Sequence, residues 1–230
     1  MARVRTGVLI SGRGSNLAAL IAAARAPDHP AEIALVVSNR ADAAGLEHAT
    51  AAGIERRVID ERAHASPDHA TARAAARAAA RAGFDAALSE TLEAAGIELV
   101  CLAGFMRVLT GAFVARWRDR LINIHPSLLP AFPGLDTHAR ALAAGVKLHG
   151  CTVHFVREEV DRGPIIGQAA VPVLADDTPA RLAERVLAVE HRLYAACLRL
   201  VAEGRAEVEG ERVRIAGARD GGAWLLNPDA

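Results

Sequence analysis

Short apolar runs alternate with helical periods through the first half of the chain. Thr6 to Ile10, Ile33 to Ser38 and Arg57 to Ile59 have the short apolar or β-branched pattern of strands. Between them, Asn16 to Arg25 and Asp42 to Ala52 place apolar residues at helical spacing. This order predicts a parallel sheet covered by helices. An Ala/Arg-rich region from about Ala63 to Ala82 favours helix on propensity alone and is low in complexity. Gly83-Phe84-Asp85 is expected to break it, with a second helix running to about Ala95. Ile97 to Ala103 then reads as a buried strand, Thr110 to Trp117 as a helix, and Leu121 to Ile124 as a further buried strand.

Past a proline-rich stretch the pattern changes. Thr137 to Ala144 reads as a short helix, and Cys151 to Val156 and Ile165 to Val173 as strands close enough to pair antiparallel across the loop Arg157 to Pro164. From Thr178 to Val201, the apolar residues Leu182, Val186, Val189, Leu193, Cys197 and Leu200 mark one face of a long helix, with Glu190 at its edge. Thr178 fits its cap and Pro179 its first position. Val208 and Val213 flank Glu209-Gly210-Glu211 as a short hairpin before a Gly-rich tail. The expected class is α/β: a Rossmann-like, mostly parallel twisted sheet with helices on both faces and an antiparallel C-terminal extension.

Composition narrows the function. The 230 residues are 52% hydrophobic, enough for a substantial core, yet apolar runs are broken well short of the roughly 18 residues a membrane span needs. The start has no signal-peptide pattern, so a cytoplasmic protein is expected. The 27 basic residues balance the 27 acidic ones, so no whole-surface field favours nucleic acid or a membrane. Cys101, Cys151 and Cys197 are odd in number, far apart and in apolar settings, which suits reduced core thiols.

Candidate chemistry concentrates in Asn123-Ile124-His125-Pro126-Ser127-Leu128-Leu129-Pro130. The two-residue period of a strand sends Asn123 and His125 to one face, and Pro126 excludes the helical region for His125. An amide and an imidazole are thus held together on stiff backbone. Ser11-Gly12-Arg13-Gly14-Ser15-Asn16 lies between the first strand and first helix, where backbone N–H groups form an anion site. It is not the dinucleotide fingerprint, because Leu17 occupies the place of the third glycine. Charged loop residues such as Asp161 are usually solvated. In contact with His125, however, Asp161 would favour the imidazolium, a donor able to meet a developing oxyanion or deliver a proton. No Ser or Cys is placed as a nucleophile, which favours direct transfer between two bound substrates. His138, His149 and His154 lack metal-ligand spacing and suit structural or supporting roles. His64 and His69 read as surface residues, and Arg73, Arg77 and Arg81 as a solvated basic helix face.

Four segments together resemble the phosphoribosylglycinamide formyltransferase family. They are Val8 to Asn16, Leu102 to Leu109, Asn123 to Pro130 with Pro133-Gly134-Leu135, and His149 to Val156 running through Asp161. The resemblance implies one domain over 1–230, with a phosphate-binding half of about 1–120 and a catalytic, folate-binding half of about 121–230. It implies that Gly14, Ser15 and Asn16 hold the phosphate of glycinamide ribonucleotide and that Glu190 meets its ribose. It further implies that the cosubstrate 10-formyltetrahydrofolate lies against Arg81, against Met106, Arg107, Val108 and Leu109, and against Arg157, Glu158, Glu159, Val160 and Asp161. Asn123, His125 and Asp161 would be catalytic. Two small-molecule substrates are implied, with no metal, nucleic acid or membrane.

The chain departs from the family pattern in places. Ala80 stands where the family has a serine before the arginine that falls on Arg81, the stretch of about Arg62 to Ala78 reads as an insertion, and Asp136 replaces a histidine of many relatives. Methionyl-tRNA formyltransferase and formyltetrahydrofolate deformylase resemble the same central residues. The first usually carries a tRNA-binding domain and the second a regulatory domain, for which this chain is expected to have no room. A noncatalytic nucleotide-binding or folate-binding module would keep the Gly-rich loop without needing an aligned Asn123, His125 and Asp161.

Overall fold

A computed structural model describes residues 2–60 and 73–217. Residues 61–72 of the Ala/Arg/His-rich stretch, with His64 and His69, the side chains of Arg73 and Arg77, and the Gly-rich tail lie outside the described residues. The chain divides into two units, Met1–Leu121 and Ile122–Ala230.

The first unit carries β1 (Val4–Ile10), α1 (Ser15–Ala24), β2 (Ala31–Ser38), α2 (Leu46–Ala51), β3 (Glu55–Val58), α3 (Arg73–Ala94), β4 (Leu99–Leu102) and α4 (Gly111–Arg116). Its strands pair in parallel in the order β3-β2-β1-β4. Thr6 to Ile10 and all four residues of β4 are buried, as expected for strands covered on both faces, and this explains their near-continuous apolar runs. Strand β3 is short, exposed and charged with Glu55, Arg56 and Arg57, features that blunt an edge. Strand order reverses between β1 and β4, so the loops leaving their C-terminal ends flank a switch point, where ligands of such sheets collect.

Two expectations for this unit fail. Gly83 does not break α3, which continues from Arg73 to Ala94. An exposed mid-helix glycine costs about 1 kcal/mol, whereas Phe84, Leu88 and Leu92, four residues apart, are fully buried. Each such side chain contributes roughly 1.5–3 kcal/mol, so burial wins. Helix α2 starts at Leu46 and not at Asp42: ahead of it the Ala43 N–H closes a turn on the Arg40 carbonyl, and the Gly45 N–H leaves the segment to donate to the Gly12 carbonyl.

The second unit takes in β5 (Leu121–His125) from Ile122 onward, then α5 (Thr137–Ala143), β6 (Leu148–Phe155), β7 (Ile165–Pro172), α6 (Pro179–Ala202), β8 (Ala206–Glu209) and β9 (Arg212–Ile215). Strands β5, β6 and β7 pair antiparallel in that order, and β8 with β9 forms the expected hairpin. Thr178 caps α6 by accepting from the Arg181 N–H, with Pro179 in its first turn. The buried row of α6 is Leu182, Val186, Glu190, Tyr194 and Cys197. Glu190 is therefore central to that face and not at its edge, while Val189, Leu193 and Leu200 are half-buried. The Tyr194 hydroxyl donates to the Ile122 carbonyl at 3.2 Å and ties α6 to the catalytic candidate strand. Among the described residues, no helix is long and apolar enough to cross a membrane.

Candidate functional site

In the second unit β5 delivers Asn123 and His125 to one face, opposite His154 and Thr152 of β6 in the strand register. The next loop, fixed by prolines, returns a carbonyl to the histidine: His125 Nε2 lies 3.1 Å from the Phe132 oxygen. That loop is itself pinned. Thr152 donates to the Ser127 carbonyl at 2.7 Å and accepts from the Leu129 N–H at 3.0 Å, and Gln168 donates to the Leu129 carbonyl at 2.8 Å. Phe132 adopts a left-handed backbone, φ 54°.

Asp161 comes from the β6–β7 loop, and its side chain is only 9% exposed. This overturns the solvated expectation. The loop folds back because Gly163 sits directly against β6: a Cβ there would lie 1.6 Å from the Phe155 oxygen and 3.3 Å from His154 Nδ1. The Phe155 N–H also donates to the Pro164 carbonyl at 2.9 Å. So placed, Asp161 Oδ2 stands 3.4 Å from His125 Nδ1 and accepts the Gly134 N–H at 2.8 Å. Both nitrogens of His125 thus face acceptors, a carbonyl and a carboxylate. A hydrogen on either ring nitrogen therefore has an acceptor to meet.

His154 orients the neighbouring amide. Its Nδ1 lies 3.0 Å from the Phe155 oxygen and its Nε2 is 3.2 Å from Asn123 Nδ2. Burial pushes this imidazole's pKa down. The neutral ring then donates from Nδ1 and accepts at Nε2, fixing Asn123 as donor with its second amide hydrogen left over. Asp161 Oδ1 is 4.0 Å from the same Nε2. A second histidine pair backs the loop: His149 Nε2 lies 3.2 Å from His138 Nδ1, and the Phe132 ring packs edge-on against His149. Burial first, then neighbouring His138, push His149 down to about 4. His138 is also lowered, by burial first. Among the described residues no group of three or more His, Cys, Asp or Glu is arranged to hold a metal ion.

The first unit contributes a site made of backbone. Gly14 caps α1 in the left-handed conformation, φ 73°, and no side chain caps the helix. No side-chain cap therefore competes for the N–H groups at its start, which is what a candidate anion cradle requires. Ser11 steadies the loop by donating to Asn39 Oδ1 at 2.6 Å and accepting the Met106 N–H at 2.8 Å. From the other side the Gly45 N–H donates to the Gly12 carbonyl at 2.9 Å. Within the same unit, Met106 and Val108 are exposed while Leu109 is buried. The Arg107 guanidinium lies 4.0 Å over the Phe84 ring, which brings the loop 106–109 against α3 three residues beyond exposed Arg81.

The structure thus brings Asn123, His125 and Asp161 together, with His154, and separately groups Gly14, Ser15 and Asn16 at one helix start. Arg157, Glu158, Glu159 and Val160 lead into Asp161 on the β6–β7 loop, with Val160 exposed. Glu190, at 7% exposure, lies within the second unit near Cys151. Burial first and then Glu190 push that thiol up to about 12. Sequence reasoning placed Ser11 in the loop without its clasping role, and missed the Phe132 carbonyl, Asn39, Gly45 and Gly163. Only Gly163, followed by Pro164, carried a local turn signal.

Comparison with known proteins supplies a family. Residues 4–198 match the model of the family described as formyl transferase. Over 212 residues the chain is 41% identical to phosphoribosylglycinamide formyltransferase of Escherichia coli strain K12, covering 92% of this chain and 93% of that protein. It is 50% identical over 213 residues to the trifunctional purine biosynthetic protein adenosine-3 of Gallus gallus, covering 93% of this chain but only 20% of that much longer protein. The crystal structure of glycinamide ribonucleotide transformylase 1 from Symbiobacterium toebii superposes with a TM-score of 0.84 at 51% identity, covering 93% of this chain and 94% of that one.

Proposed function

The chain belongs to the formyl transferase family, and from that membership we propose that it is a phosphoribosylglycinamide formyltransferase of purine biosynthesis. In this reading it transfers the formyl group of 10-formyltetrahydrofolate to the amine of N1-(5-phospho-D-ribosyl)glycinamide. The observation that carries the mechanism is the facing pair His125 and Asp161 at 3.4 Å, with the donor Asn123 two residues away on the same strand face.

The substrate amine attacks the formyl carbon, and the carbonyl oxygen becomes an oxyanion. Asn123 offers it the amide hydrogen that His154 leaves over. The His125 imidazolium offers a second N–H, kept charged by Asp161. In the described arrangement that Nε2 hydrogen faces the Phe132 carbonyl. Turning it to an oxyanion exchanges a neutral acceptor for a charged one and so sets opposite charges across the hydrogen bond, which strengthens it. The tetrahedral intermediate collapses as the folate N10 accepts a proton through His125 or a water. The C–N10 bond breaks, tetrahydrofolate leaves, and the new amide nitrogen gives up its proton.

The remaining roles follow the family resemblance. Gly14, Ser15 and Asn16 hold the phosphate, and Glu190 meets the ribose. The folate lies against Arg81, Met106 to Leu109 and the loop Arg157 to Asp161. Mixing the protein with 10-formyltetrahydrofolate and glycinamide ribonucleotide, and following tetrahydrofolate release, tests the proposal. Release that depends on the ribonucleotide is expected. Release without it would select a hydrolase, transfer only to charged tRNA a tRNA formyltransferase, and no release a binding module.

A further inference from the structure

We propose that Gly45, immediately ahead of α2, is a positioning residue for the loop Gly12 to Gly14, holding the N–H groups at the start of α1 where they meet the substrate phosphate. This inference rests on the phosphate reading of that loop. Gly45 touches the loop backbone to backbone. Its N–H donates to the Gly12 carbonyl at 2.9 Å. A Cβ built on Gly14 would meet the Gly45 Cα at 2.6 Å, so the two glycines are packed as closely as chains can be. Conversely, a Cβ on Gly45 would lie 3.0 Å from both the Gly12 oxygen and the Gly14 Cα, and 2.7 Å from Ile10 Cδ1.

Ile10 is fully buried in β1, so it has little room to yield. Gly12 and Arg13 are exposed and contribute nothing to the core. The loop is the softer side, and an added methyl moves it first. A displacement of a few tenths of an ångström is enough to misdirect N–H groups whose value depends on aim. On the far side the loop is already fixed by Ser11, through Asn39 and the Met106 N–H. Gly45 completes a clasp that closes on the loop from two directions. No charge or side chain of residue 45 is involved, which is why composition and motif searches pass over it.

The test is Gly45→Ala, beside the double variant I10V/G45A, which removes the Ile10 Cδ1 conflict while keeping the conflict with the loop. Steady-state kinetics are measured with glycinamide ribonucleotide and with the corresponding riboside, which lacks the phosphate; inorganic phosphate serves as a competitive probe. Both variants should raise KM for the ribonucleotide about tenfold and weaken inhibition by phosphate in parallel. The kcat, the KM for the formyl donor and the kcat/KM for the riboside should stay within about twofold of the parent. A parent enzyme that does not distinguish ribonucleotide from riboside would overturn the phosphate reading and this inference with it. A parent that does distinguish them, with variants that keep its KM or lose riboside activity equally, would overturn the inference alone. Failure of both variants to fold would also overturn it, by assigning Gly45 to the core.

Discussion

The two units build their candidate sites from different material. In the first, the proposed anion cradle is made of main-chain N–H groups at an uncapped helix start, shaped by glycines and steadied by Ser11. In the second, the proposed chemistry rests on the side chains of Asn123, His125, His154 and Asp161, each oriented by another group. A backbone site is damaged by adding atoms, whereas a side-chain site is damaged by removing them. The first should therefore respond through KM and the second through kcat.

The largest test of that contrast removes the donors. Asn123→Ala and His125→Ala should each lower kcat by about 100-fold to 1000-fold, as loss of one oxyanion donor typically does. Asn123 is half-buried and His125 sits among polar partners, so neither belongs to the apolar core and thermal melting should move little. A folded His125→Ala protein with undiminished turnover would remove the basis of the mechanism. Next comes Asp161→Asn, which keeps the shape and withdraws the charge facing His125 Nδ1. Turnover should fall by roughly 10-fold to 100-fold. Turnover within about twofold of the parent would assign Asp161 to holding Gly134 alone.

The same contrast explains what was legible in the sequence. Strand period and proline stiffness made Asn123 and His125 readable as a pair, because local geometry alone puts them on one face. Their meeting with Asp161 depends on Gly163 pressing the β6–β7 loop onto Phe155, a nonlocal fit with no periodic signature. Glu190 was misplaced for a related reason. The hydrophobic pattern centred the buried face of α6 on Val189 and Leu193, yet packing centres it on Val186, Glu190 and Tyr194. Likewise Gly83 read as a break because propensity is local, while the burial of Phe84, Leu88 and Leu92 is not. Gly45 read as part of the helix Asp42 to Ala52, since its closeness to Gly14 is visible only in three dimensions.

A smaller effect sharpens the comparison through acid stability. His149 is held neutral, down to about 4 from an ordinary 6.5, by burial first. The unfolded chain takes up that proton below about pH 6.5 and the folded chain does not, so the stabilising contribution is whole above 6.5 and is lost as pH falls towards 4. The expected loss across that window is about 1–2 kcal/mol, discounted for partial solvent screening. Urea unfolding at pH 7 and pH 5 should show it, and His149→Phe should flatten the difference. An unchanged slope in the variant would place the acid sensitivity elsewhere.

The smallest effect lies beyond the candidate chemistry in the same unit. Asp177, its side chain 1% exposed, accepts two hydrogen bonds from Arg185 at 2.7 and 2.8 Å and one from the Leu174 N–H at 2.8 Å. Arg185 first among these holds the carboxyl down at about 2, below its ordinary 3.8. Here the folded state releases its proton more readily than the unfolded one, so the contribution is present above about pH 4 and disappears as pH falls through 2. Asp177→Asn should cost about 1 kcal/mol at neutral pH, a drop in Tm of roughly 2–4 °C. Turnover should stay within about twofold, because this pair clips the β7 end to α6 and lies outside the His125 cluster. The windows of His149 and Asp177 do not overlap: the first closes near pH 4, where the second begins to open. A stability profile resolved into those two steps, each removed by its own variant, would separate the part of the second unit that supports its side-chain chemistry from the part that only holds its helix in place.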